Sequence, residues 1–258
     1  MARRFGIEGG IIGVAAAAVV SLAVAGALAF AQPQASEAEA DSPGSAQQRP
    51  DRAPKIAPVD PSIAHASDRP GRSLNITIDD GPDPVWTPKV LEVLKKHEVK
   101  AVFCMIGPQA EAHPDLVKQV VAAGHKLCDH TISHNTGMDH QPQNYQSQQI
   151  LDAQKMIEDA AGGAKVEYYR APGGAFTPYS RQLAADHGMR PLGWNVDSKD
   201  FEGGSTATIE ATVRGELANG PTVLFHDGGG NRARTVESLE RLLPWMKQQG
   251  YGFGFPER

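Results

Sequence analysis

Leu74-Asn75-Ile76-Thr77-Ile78 is a short β-rich run that stops at Asp79-Asp80-Gly81-Pro82. Taken alone, two acids before Gly-Pro read as a turn. The stretch decides the fold because its form recurs: an apolar run ends in polar, chemistry-bearing residues, and a helical stretch follows.

Downstream of this strand, 87–97 carries Val90, Leu91 and Leu94 at helical spacing behind a Thr87-Pro88 start. A second strand is predicted over 101–106, a helix over 114–123 stopped by Gly124, and a third strand over 125–128. A helix over 145–161, a strand over 166–169 and a helix over 178–187 come next, then a fifth strand over 189–196. A helix over 208–217, a strand over 222–225, a helix over 235–248 and a weak glycine-interrupted strand over 251–255 complete the chain. Such alternation predicts a parallel sheet with helices outside it. Seven units in fewer than about 190 residues imply a small or incomplete (β/α) barrel, with a doubly wound open sheet as the structural alternative.

Polar groups gather at one end of these strands. His130-Thr131-Ile132-Ser133-His134 follows the third strand, Arg170-Ala171-Pro172-Gly173-Gly174 the fourth, Asp197-Ser198-Lys199-Asp200-Phe201 the fifth and His226-Asp227 the sixth. In a parallel barrel or sheet that end carries the site. Consecutive residues leaving a strand point in different directions, so Asp80 can face a metal while Asp79 faces a substrate. The same divergence disfavours a glycosidase pair, whose carboxylates face each other across a bond. His130 and His134, at i and i+4, share a face if their segment is helical. With Asp80 they form a two-nitrogen, one-oxygen set with open positions, which suits a catalytic ion: zinc by default, with cobalt, nickel or manganese also fitting. Arg170 sits in a rigid Pro-Gly-Gly turn, and His226 ends the apolar run Val223-Leu224-Phe225.

These five groups resemble, in order, the motifs of the polysaccharide deacetylases of carbohydrate esterase family 4, the NodB-like domain, over residues 73–255. Ile78 stands where Phe is usual, Gly173 where an aromatic is common, and Phe201 in place of Trp. The resemblance implies a distorted (β/α)7 barrel hydrolysing acetyl groups from N-acetylglucosamine-containing polysaccharide, either chitin oligomers or peptidoglycan. It implies Asp79 as general base, Asp80, His130 and His134 as metal ligands, and Arg170 as the residue that orients Asp79. It implies His226 as general acid, kept charged by a fourth-motif aspartate; Asp200 is preferred over Asp197 because it directly precedes the aromatic position. Leu224 and Phe201 are expected to line an acetyl pocket, and the Gly173 N–H to face the developing oxyanion. An O-acetyl esterase acting on acetylxylan, or a wall-binding protein without activity, are the alternatives.

The N-terminus reads as a targeting segment over 1–31. Arg3-Arg4 precedes an apolar run, and Ala29-Phe30-Ala31 offers small residues for cleavage. The run is also long enough to remain as a membrane anchor, and the arginine pair is a weak twin-arginine match. Residues 32–72, rich in Pro, Ala and Ser, read as a disordered linker, and 73–258 as one catalytic domain. The body is thus expected outside the cytoplasm, where Cys104 and Cys128 either pair or remain two small buried hydrophobes. A net charge of −5 argues against a nucleic-acid partner. The partner expected is a glycan, met by a monomer, with membrane contact only through the N-terminal segment.

Overall fold

Side-chain alternation along one strand sets up the two sides of the sheet. In the computed structural model, which describes residues 58–258, β1 (Ser73–Asp79) is buried along its whole length. Leu74, Ile76 and Ile78 enter the main hydrophobic core beneath the helices. Asn75, Thr77 and Asp79 therefore share the opposite face, as period-two geometry requires. The targeting segment and most of the predicted linker lie outside the described residues.

The remaining strands are β2 (Ala101–Met105), β3 (Lys126–Asp129), β4 (Val166–Tyr169), β5 (Arg190–Pro191), β6 (Val196–Asp197), β7 (Thr222–His226) and β8 (Gly252–Phe253). Their order is β5-β4-β3-β2-β1-β7-β6, with β8 beside the start of β1, and every pairing is parallel. The helices are α1 (Trp86–Lys96), α2 (Gly107–Ala112), α3 (Pro114–Ala122), α4 (Gln143–Ala160), α5 (Pro178–Asp186), α6 (Thr206–Glu216) and α7 (Ala233–Gln248). α7 shows why they pack on the sheet: Thr235, Leu239, Leu242, Leu243 and Met246 form one buried stripe at helical spacing. The fold is a distorted (β/α)7 barrel whose sheet curls without β5 meeting β6. Parallel pairing puts the C-terminal ends of all the strands on one side.

Inside the curl sits a second, smaller cluster of Val102, Cys104, Cys128, Tyr168 and Leu192. Cys104 and Cys128 are direct partners in the β2–β3 register. They form a disulfide, with Cα atoms 4.1 Å apart. The pairing left open by the sequence is thus made.

Three expectations need correction. The fifth strand, predicted over 189–196, is two strands on opposite edges: β5 pairs with β4, and β6 with β7. Apolar periodicity cannot see the irregular stretch from Gly193 to the bend at Asn195 that separates them. A helix, α2, appears where none was predicted, opened by Gly107-Pro108. The linker reading of 32–72 fails from residue 58 onward, because that stretch is hydrogen-bonded to the barrel: Val59 N–H donates to Ala185 O at 3.1 Å and Ala64 N–H to Pro191 O at 2.8 Å. Composition identified few large apolar residues there, but backbone pairing does not need them.

Candidate active site

The acidic pair occupies the C-terminal end of β1. Asp79 keeps strand geometry and points into the barrel. Asp80 turns into the left-handed region at φ 76°, and both carboxylates face His130 Nε2, at 3.5 Å from Asp79 Oδ2 and 3.6 Å from Asp80 Oδ1. The Asp80 N–H donates to Cys104 O at 3.1 Å, and the Asp227 N–H donates to Asp79 O at 3.0 Å, so β2 and β7 hold the pair from both sides.

Asp80 Oδ1 lies 3.2 Å from His134 Nε2 and 3.6 Å from His130 Nε2. Ligand atoms of all three residues fall within 4.8 Å of one another. His130 Nδ1 is 2.8 Å from Arg170 O. A carbonyl only accepts, so Nδ1 carries the proton and the Nε2 lone pair faces Asp80. Burial holds His130 far below the usual imidazole pKa, at about 3. Asp80 Oδ1 is itself buried without a hydrogen-bond partner. A carboxylate oxygen and a neutral imidazole lone pair that face each other without a shared proton fit a cation between them. The donor set of two nitrogens and one oxygen suits zinc-type chemistry.

The two histidines do not share a helical face. Residues 130–137 form no helix, and Thr131 and His134 adopt φ of 70° and 50°. The loop is fixed by Thr131 N–H donating to Asp129 Oδ1 at 2.7 Å and by Ser133, whose N–H and Oγ–H both donate to Gln149 Oε1 of α4. The turn, rather than i,i+4 spacing, brings the rings to edge contact at 4.9 Å between centroids.

Asp79 stands beside this cluster. Its Oδ2 is 3.5 Å from His130 Nε2, and its Oδ1 accepts from Arg170 Nη1 at 2.7 Å. Burial raises the Asp79 pKa, and the charges of Arg170 and His226 oppose that rise. Arg170 is wholly buried. Its Nη1 also donates to Thr77 Oγ1 at 2.9 Å, its Nε to Leu192 O at 3.2 Å and its Nη2 to Gly193 O at 2.8 Å.

His226 ends β7 and lines the same cleft. Its Nδ1 donates to Asp200 Oδ1 at 2.7 Å, while its backbone N–H and the Thr235 hydroxyl hold Asp200 Oδ2 at 2.9 and 2.8 Å. Burial alone would lower the His226 pKa, but the bond to Asp200 and the charges of Asp200, Asp79 and Asp80 outweigh it and raise the pKa. Asp200 is held low despite its own burial by those contacts with His226 and Thr235. Asp197, the alternative from sequence, instead binds Lys199, with Oδ2 2.9 Å from Nζ.

The cleft over these groups encloses about 420 Å³. Gly173, Phe201 and Leu224 line it. Phe201 is 47% exposed and meets the His226 ring at 5.1 Å, while Leu224 lies deep at 4%. Gly173 takes φ 60°, and a side chain there would press on Thr136, with Cβ 3.2 Å from Thr136 Cβ. The turn's own bonds use the N–H groups of Gly174 and Ala175, not that of Gly173. Thr136, Trp194 and Lys199 also line the cleft and were not expected from sequence. Trp194 sits inside the mispredicted fifth strand, so its spacing gave no signal. Asp227 had been placed at the strand end but given no role; it is buried, accepts from Thr87 Oγ1 at 2.5 Å and is pushed up to about 7 by burial.

An open parallel barrel with titratable side chains and three convergent ligand-type residues at its C-terminal strand ends has the layout of the hydrolytic (β/α) barrels. The chain is a member of the polysaccharide deacetylase family, carbohydrate esterase family 4: the family's sequence profile matches residues 66–192. It is 35% identical over 182 residues to a peptidoglycan-N-acetylglucosamine deacetylase of Bacillus cereus, covering 70% of this chain and 84% of that protein. It is 33% identical over 189 residues to a chitooligosaccharide deacetylase of Sinorhizobium fredii, covering 69% and 87%. Among solved structures, a family 4 pseudoenzyme of Bacillus anthracis superposes with a TM-score of 0.69 at 26% identity, covering 76% of this chain and 68% of that one. A shared fold therefore does not by itself establish turnover, and activity has to be argued from this chain's own residues.

Proposed function

We propose that this protein is a metal-dependent hydrolase that removes acetyl groups from N-acetylglucosamine-containing polysaccharide, peptidoglycan or chitin oligomers, releasing acetate. The observation that carries this reading is the position of Asp79: its Oδ2 lies 3.5 Å from His130 Nε2, at the edge of the ligand cluster, while Arg170 Nη1 holds its Oδ1 at 2.7 Å. Relatives that act on peptidoglycan N-acetylglucosamine and on chitooligosaccharides support the substrate class.

Asp80, His130 and His134 are the residues that would hold the ion, and zinc is the proposed species. When bound, such an ion supplies Lewis acidity to an amide carbonyl, a poor electrophile on its own. Asp79 accepts the proton of the attacking water, and Arg170 keeps the Asp79 carboxylate aimed at the cleft. The Gly173 N–H donates to the oxygen that gains charge. An amine cannot leave as an anion, so His226, kept protonated by Asp200, donates a proton to it. Leu224 and Phe201 give the acetyl methyl an apolar wall.

The apolar run within 1–31 supports export, and the Cys104–Cys128 disulfide supports an oxidising compartment. An acetate-release assay on peptidoglycan, chitin oligomers and acetylxylan, with and without chelator, tests the reading. Release from the two glucosamine polymers that chelator abolishes and zinc restores is the expected result. Release only from acetylxylan would make the protein an ester hydrolase, and no release from any substrate would leave a binding protein.

A further inference from the structure

We propose that residues 59–66, which composition assigns to a linker, form a positioning strap that seals the free edge of β5 and thereby aims Arg170 at Asp79. The proposal rests on the functional reading above for its kinetic consequence, though not for its geometry.

β5 is two residues long, and among the described strands it pairs with β4 alone. Its far edge would expose unpaired backbone groups, which sheets generally cover or blunt. The strap covers that edge. Ala64 N–H donates to Pro191 O at 2.8 Å, Gly193 N–H donates to Ala64 O at 3.0 Å, and Ala64 bridges Leu192 in parallel. Ala64 is 3% exposed, the one fully buried residue of the strap. Upstream, Arg190 donates to Ser62 Oγ at 2.9 Å and pairs with Asp60 at 3.3 Å. On its other side the strap is held by Thr222 Oγ1 donating to His65 O at 2.8 Å and Asn75 Nδ2 donating to Ala66 O at 3.2 Å. It therefore lies across the seam where β5 and β6 fail to meet. Gly193 is the point of closest approach: a Cβ there would overlap the side chains of His65 and Ile63.

The functional link is the carbonyls of this same segment. Leu192 O and Gly193 O take two of the Arg170 donors, and those two bonds fix the rotation of the planar guanidinium. In that orientation Nη1 donates to Asp79 Oδ1 at 2.7 Å. A two-residue strand with one open edge is a poor anchor for a buried cation. The strap makes 191–193 a paired segment on both sides, since Leu192 N–H donates to Tyr169 O of β4 on the other.

The test replaces residues 59–66 in the full chain with a Gly/Ser stretch of equal length, alongside Ala64→Pro, which deletes one strap N–H. With fold checked by circular dichroism and bound zinc measured, kcat should fall about 10²-fold, the scale of a misplaced reacting group. KM and zinc content should stay near wild type, and a synthetic peptide of residues 58–67 should restore turnover to the replaced chain. Unchanged kcat in either folded variant overturns the proposal. Amide exchange at Gly193, whose N–H donates to the carbonyl at position 64, is read in the same samples: both variants keep that carbonyl but lose contacts that hold the strap against β5, so protection should fall in both, and wild-type protection in a variant whose kcat has fallen overturns the proposal. Absence of activity in the unaltered chain would instead sink the deacetylase reading, leaving exchange at Gly193 to judge the strap.

Discussion

Asp200 grips His226 at two points, taking the ring Nδ1 on one carboxylate oxygen at 2.7 Å and the backbone N–H on the other at 2.9 Å. The ring is thereby fixed in rotation, and its proton is held at a pKa above the ordinary value of 6.5. A group whose folded pKa is raised is active as a proton donor below that value and fails as pH rises through it. The alkaline limb of the kcat profile should follow this titration. Asp200→Asn removes the charge and should move that limb to lower pH while leaving bound metal unchanged. The same pairing stabilises the fold fully below 6.5, and the contribution disappears as pH rises through the raised folded pKa. A pH–rate profile of both proteins, with thermal melts at each pH, checks the two effects together.

Asp79 and His130 are 3.5 Å apart but should fail differently. Asp79→Asn should keep zinc and lose kcat by about 10²-fold or more, as for loss of a general base. His130→Ala should lose zinc first. Metal content after dialysis, measured beside turnover, separates the two. Full activity of His130→Ala after chelation would remove the metal assignment.

Gly228 packs against the Asp80 backbone so closely that a Cβ would overlap the Asp80 carbonyl. Backbone there cannot step aside as a flexible side chain could. Gly228→Ala should destabilise by about 1–3 kcal/mol, an overpacking cost, and should weaken zinc binding by moving Asp80. Gly215 in α6 has open space around its missing Cβ. Gly215→Ala should stabilise by about 0.5–1 kcal/mol, because alanine is the better helix former. Chemical denaturation of both variants measures the contrast.

The Cys104–Cys128 bridge spans 24 residues of sequence. A loop of that size is worth about 3 kcal/mol in the chain-entropy description. Cys104→Ala/Cys128→Ala should lower the midpoint of denaturation accordingly, and reductant should affect the unaltered protein but not the double variant.

Much of the site was legible because strand ends in a parallel barrel announce themselves locally: an apolar run stops and charged residues begin. Asp79, Asp80, Arg170, Asp200 and His226 were all found this way; the structure brings four of them into one cleft and sets Asp200 against His226. Trp194 and Thr136 were missed because one lay within an apparent strand and the other within an undistinguished loop. The His130–His134 spacing suggested one helical face; the two rings do come together, but through left-handed turns at Thr131 and His134 rather than a helix.

Sequence alone determined the alternation of strands and helices, apart from α2 and the divided fifth strand, the end of the barrel that carries polar chemistry, and most of the residues that compose it, because each is written in neighbouring residues. Tertiary structure decided what depends on distant partners: Asp200 rather than Asp197 on His226, Cys104 bonded to Cys128, the fifth strand divided between two edges, and residues 59–66 laid along β5. The physical reason is that periodicity reports only which face of a segment seeks burial. Backbone groups on a sheet edge are identical whatever the side chain, so the partner that satisfies them is chosen by the assembled fold.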